Sequence, residues 1–455
     1  MTIAAGAAKD TYGNSNTEAI EIPIKVGSKA VAEKIVYDYV VSDVDEFKAA
    51  FAAVNESNTS ADAVRKTIFI KNGDYDFGSE EQRLTAYNVS LIGESRDGVI
   101  LHGNRDGISN PVLNLRNRTG FYLQDLTVRN DNNFGKEEKG GVAVAIYGGD
   151  KTIMKNVRML SNQDTQVTGN RAYLEGCEIH GTVDFICGGG DNFFSNTTLV
   201  LEDRGGNCIT APSTSSTLKW GYVFQNCIIK AAEGATSVTD GSYNLGRPWQ
   251  DTPRANFLNT IMYVLPSDGA WAGMSDLTTH FYEYNSMKPD STTVDLSKRT
   301  NSPSSTNKYT PVLTDEEAKA YTLENVLGGT DSWLPTEETV TVAAPVVTLK
   351  NSILSWEDSD DARCYVIFCD GKYVANQTGT TFSVTTDGKY TVRAANVNGG
   401  LGEISNVVDT TVSGITSVET EKNGEYTIYN LNGQRVNTMQ TGQVYIVNGK
   451  KVILK

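Results

Sequence analysis

Two aspartates lie twenty positions apart in stretches that carry no other charge, and they are the side chains of this chain best suited to chemistry. Asp164 lies in the run NQDT and Asp184 in the run GTVDFI. Two carboxyl groups presented to one substrate can act as a nucleophile and as a general acid and base. Further along, the run LGRPW offers the guanidinium of Arg247 to orient a carboxylate and the indole of Trp249 on which a sugar could stack. Together these segments predict a hydrolytic site.

A repeat in the sequence predicts a fold that brings these segments together. An apolar residue, a spacer, then Asn, Asp or Gly and a further apolar stretch recur at intervals of 20 to 33 positions, with pivots at Asp125, Asn156, Gly176, Asn196, Asn226 and Asn259. These three residue types tolerate the left-handed backbone of a sharp corner between short strands. We therefore expect an all-β chain built on a right-handed parallel β-helix. An irregular all-β sandwich is the alternative.

Composition narrows the class of protein and its location. The chain has 455 residues and a formal net charge of −15, which argues against a nucleic-acid or anionic-membrane binder. Its three histidines lack metal-ligand spacing, and we expect its six cysteines to be mostly buried free thiols, with disulfides the alternative. No apolar run approaches the length of a membrane span. The N-terminus lacks a signal-peptide core, so the protein is either cytosolic or has lost its signal; the downstream domains favour a secreted, periplasmic or cell-surface protein. We expect a monomer.

Two helices are predicted beside the coil. Val44, Phe47, Phe51 and Val54 lie at helical spacing, with Ser42 as the predicted N-cap, and this helix would cover the open end of the stack. A capping box at residues 314–317 leads into a second predicted helix at 318–327, which two glycines end. We expect the second helix to pack along the coils.

The composition divides the chain into four segments: an N-terminal segment at 1–32, the β-helix at 33–336, a β-sandwich at 337–413 and a C-terminal hairpin module at 414–455. The sandwich resembles a fibronectin type III domain, with Trp356 as its core tryptophan and Tyr390 as its late-strand tyrosine. The last segment is similar to modules found on secreted and surface proteins of Bacteroidetes. We expect the sandwich to act as a spacer.

Residues 33 to 335 resemble the pectin methylesterases, because the runs QDT, GTVDFI and LGRPW occur in that family's order and near its spacing. The resemblance implies hydrolysis of the methyl esters of pectin, a methylated homogalacturonan, to pectate and methanol through an aspartyl acyl-enzyme. It implies no metal and no organic cofactor. The roles it assigns are Asp184 as nucleophile, Asp164 as general acid and then base, Gln163 as oxyanion donor, Arg247 as the partner of Asp184, and Trp249, Phe185 and Thr165 as substrate contacts.

Four positions depart from the pattern of that family. Val142 stands where a second oxyanion glutamine is usual, and valine cannot donate a hydrogen bond. Asn162 replaces an aromatic residue, Gln166 an apolar residue and Cys187 a phenylalanine. We expect the first change to weaken the oxyanion hole unless another donor replaces it. We expect the others to reshape the sugar subsites.

Two other classes of function remain open. A pectate lyase would need an acidic calcium site and a basic residue, and a polygalacturonase would need two acids placed for glycosidic cleavage. A non-catalytic pectin-binding protein could have kept the groove after losing the oxyanion residue. For an esterase, the negative charge predicts a preference for highly methylated pectin, since the de-esterified product is a polyanion.

Overall fold

The computed structural model describes residues 2–3, 20–21, 31–136, 140–300, 305–411, 427–447 and 449–453. Its main body is a right-handed parallel β-helix of three sheets, with ten, eight and seven strands, as the repeat predicted. The first sheet contains, in spatial order, Tyr39–Val41, Lys66–Ile70, Val89–Gly93, Phe121–Gln124, Thr152–Lys155, Arg171–Glu175, Asp191–Ser195, Tyr222–Gln225, Arg254–Leu258 and His280–Tyr284. The second contains Gly73–Asp76, Val99–Gly103, Thr127–Asn130, Arg158–Leu160, Glu178–Gly181, Thr198–Leu201, Ile228–Ala231 and Ile261–Met262. The third contains Gln82–Leu84, Leu113–Leu115, Val144–Ala145, Gln166–Thr168, Val183–Gly188, Asn207–Pro212 and Tyr243–Gly246.

The corners between the first and second sheets lie where the repeat predicted them. All six pivots have a left-handed backbone, with φ between 49° and 60°. Asn, Asp and Gly adopt this conformation at the lowest cost, so their recurrence fixes where each coil turns. Inside the coil, Phe194, Phe224 and Phe257 stack on successive turns with ring centroids 4.4 Å apart. The corner residues thus set the register in which the interior side chains stack.

The helix Val44–Ser57 covers the open end of the stack and buries Phe47, Phe51 and Val54. Its N-cap is Asp43, so the prediction of Ser42 was wrong by one residue. The backbone N–H of Glu46 donates to Asp43 Oδ1 at 2.9 Å, whereas Ser42 donates to the Glu46 carboxylate instead. An aspartate at the N-cap also interacts favourably with the helix dipole.

The predicted helix at 318–327 is two short helices, Asp315–Ala318 and Leu323–Leu327, followed by a 3₁₀ turn at Pro335–Glu337. The capping box of Thr314 and Glu317 is present. Thr322 caps the second helix by accepting the backbone N–H of Asn325, which explains why one continuous helix does not form. This helix packs against the outer face of the first sheet, as expected.

The β-sandwich pairs a three-stranded sheet with a larger one. The strands are Thr348–Lys350, Ile353–Ser355 and Thr381–Ser383 in the first, and Lys372–Gln377, Cys364–Cys369, Lys389–Ala395 and Leu401–Ile404, with Val408–Asp409 alongside, in the second. Trp356 and Tyr390 are buried in its core, as predicted. The C-terminal sheet contains Arg435–Val436, Ile428–Asn430, Val444–Val447 and Lys450–Ile453. Near the N-terminus, Thr2–Ile3 pairs with Ile20–Glu21 in a separate two-stranded sheet.

The sandwich is docked on the β-helix. An apolar cluster joins Cys364, Val366, Phe368, Ala395 and Leu401 of the sandwich to Phe69, Ile92 and Tyr122 of the first sheet. Gln124 Nε2 donates to the Leu401 carbonyl at 2.8 Å, and Tyr37 Oη donates to the Gly399 carbonyl at 2.6 Å. A buried interface of this kind holds the two domains together, and the role of the sandwich as a spacer stays a prediction.

Candidate active site

A bulge in the third sheet sets the position of Asp184. Val183 pairs with Cys208 and Ile186 with Thr210, so Asp184 and Phe185 together face a single residue of the neighbouring strand. Asp184 has a φ of 52°, a left-handed conformation that aspartate tolerates better than most residues. Gly181 is needed just before it, because a Cβ there would lie 2.1 Å from the Cβ of Phe185. The bulge interrupts the usual alternation, so that Phe185 and Ile186 both belong to the interior core.

Arg247 holds the carboxylate of Asp184 with two parallel hydrogen bonds. Its Nε lies 2.7 Å from Oδ1 and its Nη2 lies 2.5 Å from Oδ2. The backbone of Arg247 is fixed by an N–H donated to the Thr210 carbonyl at 2.9 Å. The hydrogen bond with Asp184 raises the pKa of Arg247 above its usual value. Asp184 is 5% exposed, so the predicted contact forms in a largely desolvated site where such a pair is strong.

Asp164 lies on the preceding coil in a different environment. It also has a left-handed backbone, with a φ of 61°, and is 8% exposed. Burial and then the charge of Asp184 raise its pKa to about 7, against the opposing effects of the Gln163 side chain, Arg247 and Cys187. Asp164 can therefore hold or release a proton near neutral pH. The two predicted carboxyl groups are close enough to interact and have different partners.

Trp249 lies over an apolar floor beside the two aspartates. Ala145, Val167, Cys187 and Ala211 are aligned on four adjacent strands of the third sheet. Trp249 is partly buried against this row. An indole fixed in this way presents a rigid flat face, which suits stacking on a sugar ring.

Phe185 and Thr165 do not lie at the surface of the site. Phe185 points into the interior of the coil, on the face opposite to Asp184, where it is 0% exposed. Thr165 is also fully buried, and its hydroxyl donates to the His180 carbonyl at 2.7 Å. Their prediction as substrate contacts was wrong for this physical reason. Both residues instead support the segments that carry the aspartates.

The departures from the family pattern have distinct structural roles. Val142 is fully buried against the apolar floor, and its side chain offers no hydrogen bond there. Gln166 is fully buried and pairs with Val144 and Ile186, which belong to the interior core, so the prediction that it reshapes a sugar subsite was wrong. Cys187 belongs to the floor, and burial, followed by the charge of Asp164, raises its pKa well above the usual range. It is therefore a neutral thiol.

Asn162 anchors a loop beside the site. Its Nδ2 donates to the carbonyl of Asn133 at 2.5 Å and to that of Lys136 at 2.6 Å. A cavity of about 580 Å³ opens next to it, and its lining residues are Gly135, Lys136, Asn162, Thr182, Glu202, Asp203 and Arg204. Asn162 and Thr182 each precede a reactive aspartate by two positions, so the cavity adjoins the site.

A histidine that sequence reasoning passed over lies behind this cavity. His180 Nδ1 is 2.6 Å from Glu202 Oε1, and its Nε2 is 2.9 Å from Glu178 Oε1. Glu178 and His180 lie two positions apart on one strand just before Asp184, so the sequence could have predicted their contact. Glu202 lies on the next coil, so its contact with His180 can be recognised only from the folded structure.

Within the described ranges, no helix is long and apolar enough to cross a membrane, and no group of three or more His, Cys, Asp or Glu side chains could hold a metal ion. The six cysteines are free thiols in the structure, as expected, and five of them are buried.

Comparison with known proteins agrees with this geometry. A family model described as Pectinesterase matches residues 38–330. Pectinesterase A of Dickeya dadantii (strain 3937) is 29% identical over 382 residues, which cover 71% of this chain and 98% of that protein. A mutant pectin methylesterase in complex with a hexasaccharide superposes with a TM-score of 0.54 at 27% identity, over 66% of this chain and 100% of that one.

The pectin methylesterase from carrot shares the fold with a TM-score of 0.56 at 20% identity, over 68% of this chain and 99% of that one. The family model covers more than half of this chain, and it spans the coils that carry both aspartates and Arg247. The protein therefore belongs to the pectinesterase family and is a carboxylic ester hydrolase.

Proposed function

We propose that the protein hydrolyses the methyl esters of polygalacturonate to pectate and methanol through an acyl-enzyme on Asp184. The observation that carries this proposal is the pair of carboxyl groups with different partners. Asp184 is held by both hydrogen bonds of Arg247, whereas the pKa of Asp164 is raised to about 7 by burial and by the neighbouring charge. One group is thus oriented as a nucleophile and the other carries a transferable proton.

In the first half of the reaction, an oxygen of Asp184 attacks the ester carbonyl carbon and forms a new C–O bond. Negative charge develops on the carbonyl oxygen, which the side-chain amide of Gln163 would stabilise by about 3 kcal/mol, the usual effect of one such donor. The bond to the methoxy group then breaks, and Asp164 gives its proton to the leaving oxygen. Methanol departs and an anhydride links Asp184 to the sugar.

In the second half, the ionised Asp164 takes a proton from water as that water attacks the acyl carbonyl carbon. The bond to Asp184 breaks, which restores Asp184 as a carboxylate held by Arg247 and releases the galacturonic acid, whose remaining proton passes to solvent. The proton taken from water returns Asp164 to its starting form. Every step uses groups already present in the site.

The substrate class follows from the surroundings of the aspartates together with the family. Trp249 over its apolar floor would bind one sugar ring beside the scissile ester. The family model and the hexasaccharide complex of a similar enzyme point to methylated homogalacturonan. Because a polymer of this kind cannot enter a cell intact, we place the activity outside the cytoplasm. The net charge of −15 favours highly methylated chains over their polyanionic product.

Methanol release from highly methylated pectin in buffer with a chelator tests the proposal. We expect release by the wild type and none above background by Asp184→Asn, with the exposed Asp290→Asn as a control that keeps its activity. Release that survives Asp184→Asn would contradict the acyl-enzyme. Unsaturated products would instead identify a lyase, and new reducing ends a glycosidase.

The buried Val142 is the one observation that favours a second candidate, a pectin-binding protein with an incomplete oxyanion hole. Binding of methylated pectin by a folded wild type that releases no methanol would establish it.

A further inference from the structure

His180 is held between two carboxylates in a way that fixes its charge. Glu202 and Glu178 lie 2.6 and 2.9 Å from its two ring nitrogens. A carboxylate oxygen only accepts hydrogen bonds, so both nitrogens must carry protons for both contacts to form. Burial opposes this charge, but the contacts with the two glutamates raise the pKa of His180 above its usual value. The two contacts therefore favour the imidazolium form of His180 and shift the loss of its charge to higher pH.

The two glutamates depend on His180 to different degrees. Glu178 has a second cation, because Arg158 Nε lies 2.7 Å from its Oε1. The hydrogen bond of His180, and then that of Arg158, lowers the pKa of Glu178 to about 2 against the effect of burial. Among the described residues, Glu202 has only His180 as a cationic partner. Deprotonation of His180 therefore leaves Glu202 without a compensating charge, while Glu178 keeps Arg158.

Glu202 lines the cavity that adjoins the reactive aspartates, so this charge acts on whatever binds there. The other charged residues of its described lining are Lys136, Arg204 and Asp203. Lys136 and Arg204 balance Glu202 and Asp203, so these four side chains carry no net charge together. His180 thus decides whether these surroundings carry a net positive charge or none, and a sugar that bears a carboxylate would respond to the difference.

His180 also contacts the segments that hold the site. Its carbonyl accepts the hydroxyl of Thr165, which follows Asp164. Its ring meets that of Phe134 edge-on, with centroids 6.2 Å apart, and Phe134 belongs to the loop anchored by Asn162. The imidazole is therefore fixed relative to the cavity and to both reactive strands.

We propose that His180 is a specificity-determining residue, which sets through Glu202 how strongly the cavity accepts a galacturonate that has already lost its methyl ester. The inference rests on the proposed function. With His180 charged, a partly de-esterified chain binds beside the scissile ester. With His180 neutral, Glu202 repels that carboxylate, and only methylated neighbours are accepted well. The preference for highly methylated pectin therefore grows as the pH rises.

The test measures binding of trigalacturonate in an Asp164→Asn background, which removes the carboxyl group whose pKa is raised to about 7. We expect the dissociation constant to rise roughly fivefold from about pH 6 to about pH 9 as one unit of charge is lost. Adding His180→Asn should give weak binding at every pH. Adding Glu202→Gln should give, at high pH, the tight binding that the parent shows at low pH.

Two controls and two outcomes complete the test. Adding His280→Asn or Asp203→Asn should leave the pH dependence in place, since neither side chain contacts His180. A parent without pH dependence, or a His180→Asn variant that keeps it, would overturn the inference, and Glu202→Gln decides the matter if His180→Asn does not fold. Methanol release by the wild type is measured separately, so loss of the proposed function and loss of this inference give different results.

Discussion

Arg247 and Asp184 come from coils 63 positions apart and meet through two hydrogen bonds of 2.7 and 2.5 Å. The strand Tyr243–Gly246 ends just before Arg247, and the bulge at Asp184 brings the carboxylate out to meet it. Burial and then the charge of Asp184 raise the pKa of Asp164 to about 7, whereas Asp184 is held by the guanidinium. The two aspartates therefore lie in different electrostatic environments.

Replacing Arg247 by lysine should separate orientation from charge. Lysine keeps the positive charge but cannot make two parallel hydrogen bonds to one carboxylate. We expect kcat for methanol release to fall on the order of 100-fold, because the nucleophile loses its fixed geometry, with little change in KM. Arg96→Lys, which pairs with the exposed Asp97, is the control and should keep wild-type kinetics. Equal kcat values for the two variants would contradict the role of Arg247.

Asp164 should make the folded protein less stable as the pH rises. Its pKa is raised by folding from 3.8 to about 7, so the folded state holds this proton more tightly than the unfolded state does. Its contribution to stability is complete below about pH 4 and is lost as the pH rises through about 7. Relative to Asp164→Asn, the wild type should therefore lose up to about 4 kcal/mol over that window.

Urea unfolding of the two proteins between about pH 4 and about pH 8 measures this difference. Asp203→Asn is the control: hydrogen bonds from Ser237 and Thr236 lower the pKa of Asp203, so this carboxylate stays ionised over the range and its stability gap to the wild type should not change. A constant gap between the wild type and Asp164→Asn across the range would contradict the raised pKa.

Local chemistry explains which features the sequence predicted. The corners were predictable because Asn, Asp and Gly favour the left-handed backbone, and the contact of Arg247 with Asp184 followed from the family pattern. Phe185 was misplaced because neighbouring residues of a strand point to opposite faces, so the residue after the outward Asp184 lies in the interior. The contact of His180 with Glu202 and the docking of the sandwich join distant parts of the chain. Neither leaves a periodic signal in the sequence.

Val142 offers a way to test the oxyanion hole by gain of function. Val142→Gln introduces a donor where the family usually has one. We expect kcat to rise about tenfold, while overpacking of a fully buried position lowers stability by about 1–3 kcal/mol. Val142→Met adds similar bulk without a donor, so it should lose stability without gaining activity. A kcat no higher than that of Val142→Met would show that another donor already completes the hole.

The docked sandwich should unfold together with the catalytic coil rather than as a separate unit. Leu401 is buried between them, so Leu401→Ala should lower the free energy of unfolding by about 2–4 kcal/mol. Leu349→Ala, at an exposed position of the same sandwich, should change it by less than about 0.5 kcal/mol. Loss of methanol release and loss of the sandwich's own tryptophan signal at Trp356 should follow the same denaturant curve. Two separate transitions in the wild type would show that the sandwich is only attached. One shared transition, shifted by Leu401→Ala, would mean that the sandwich stabilises the first sheet by covering its apolar outer face.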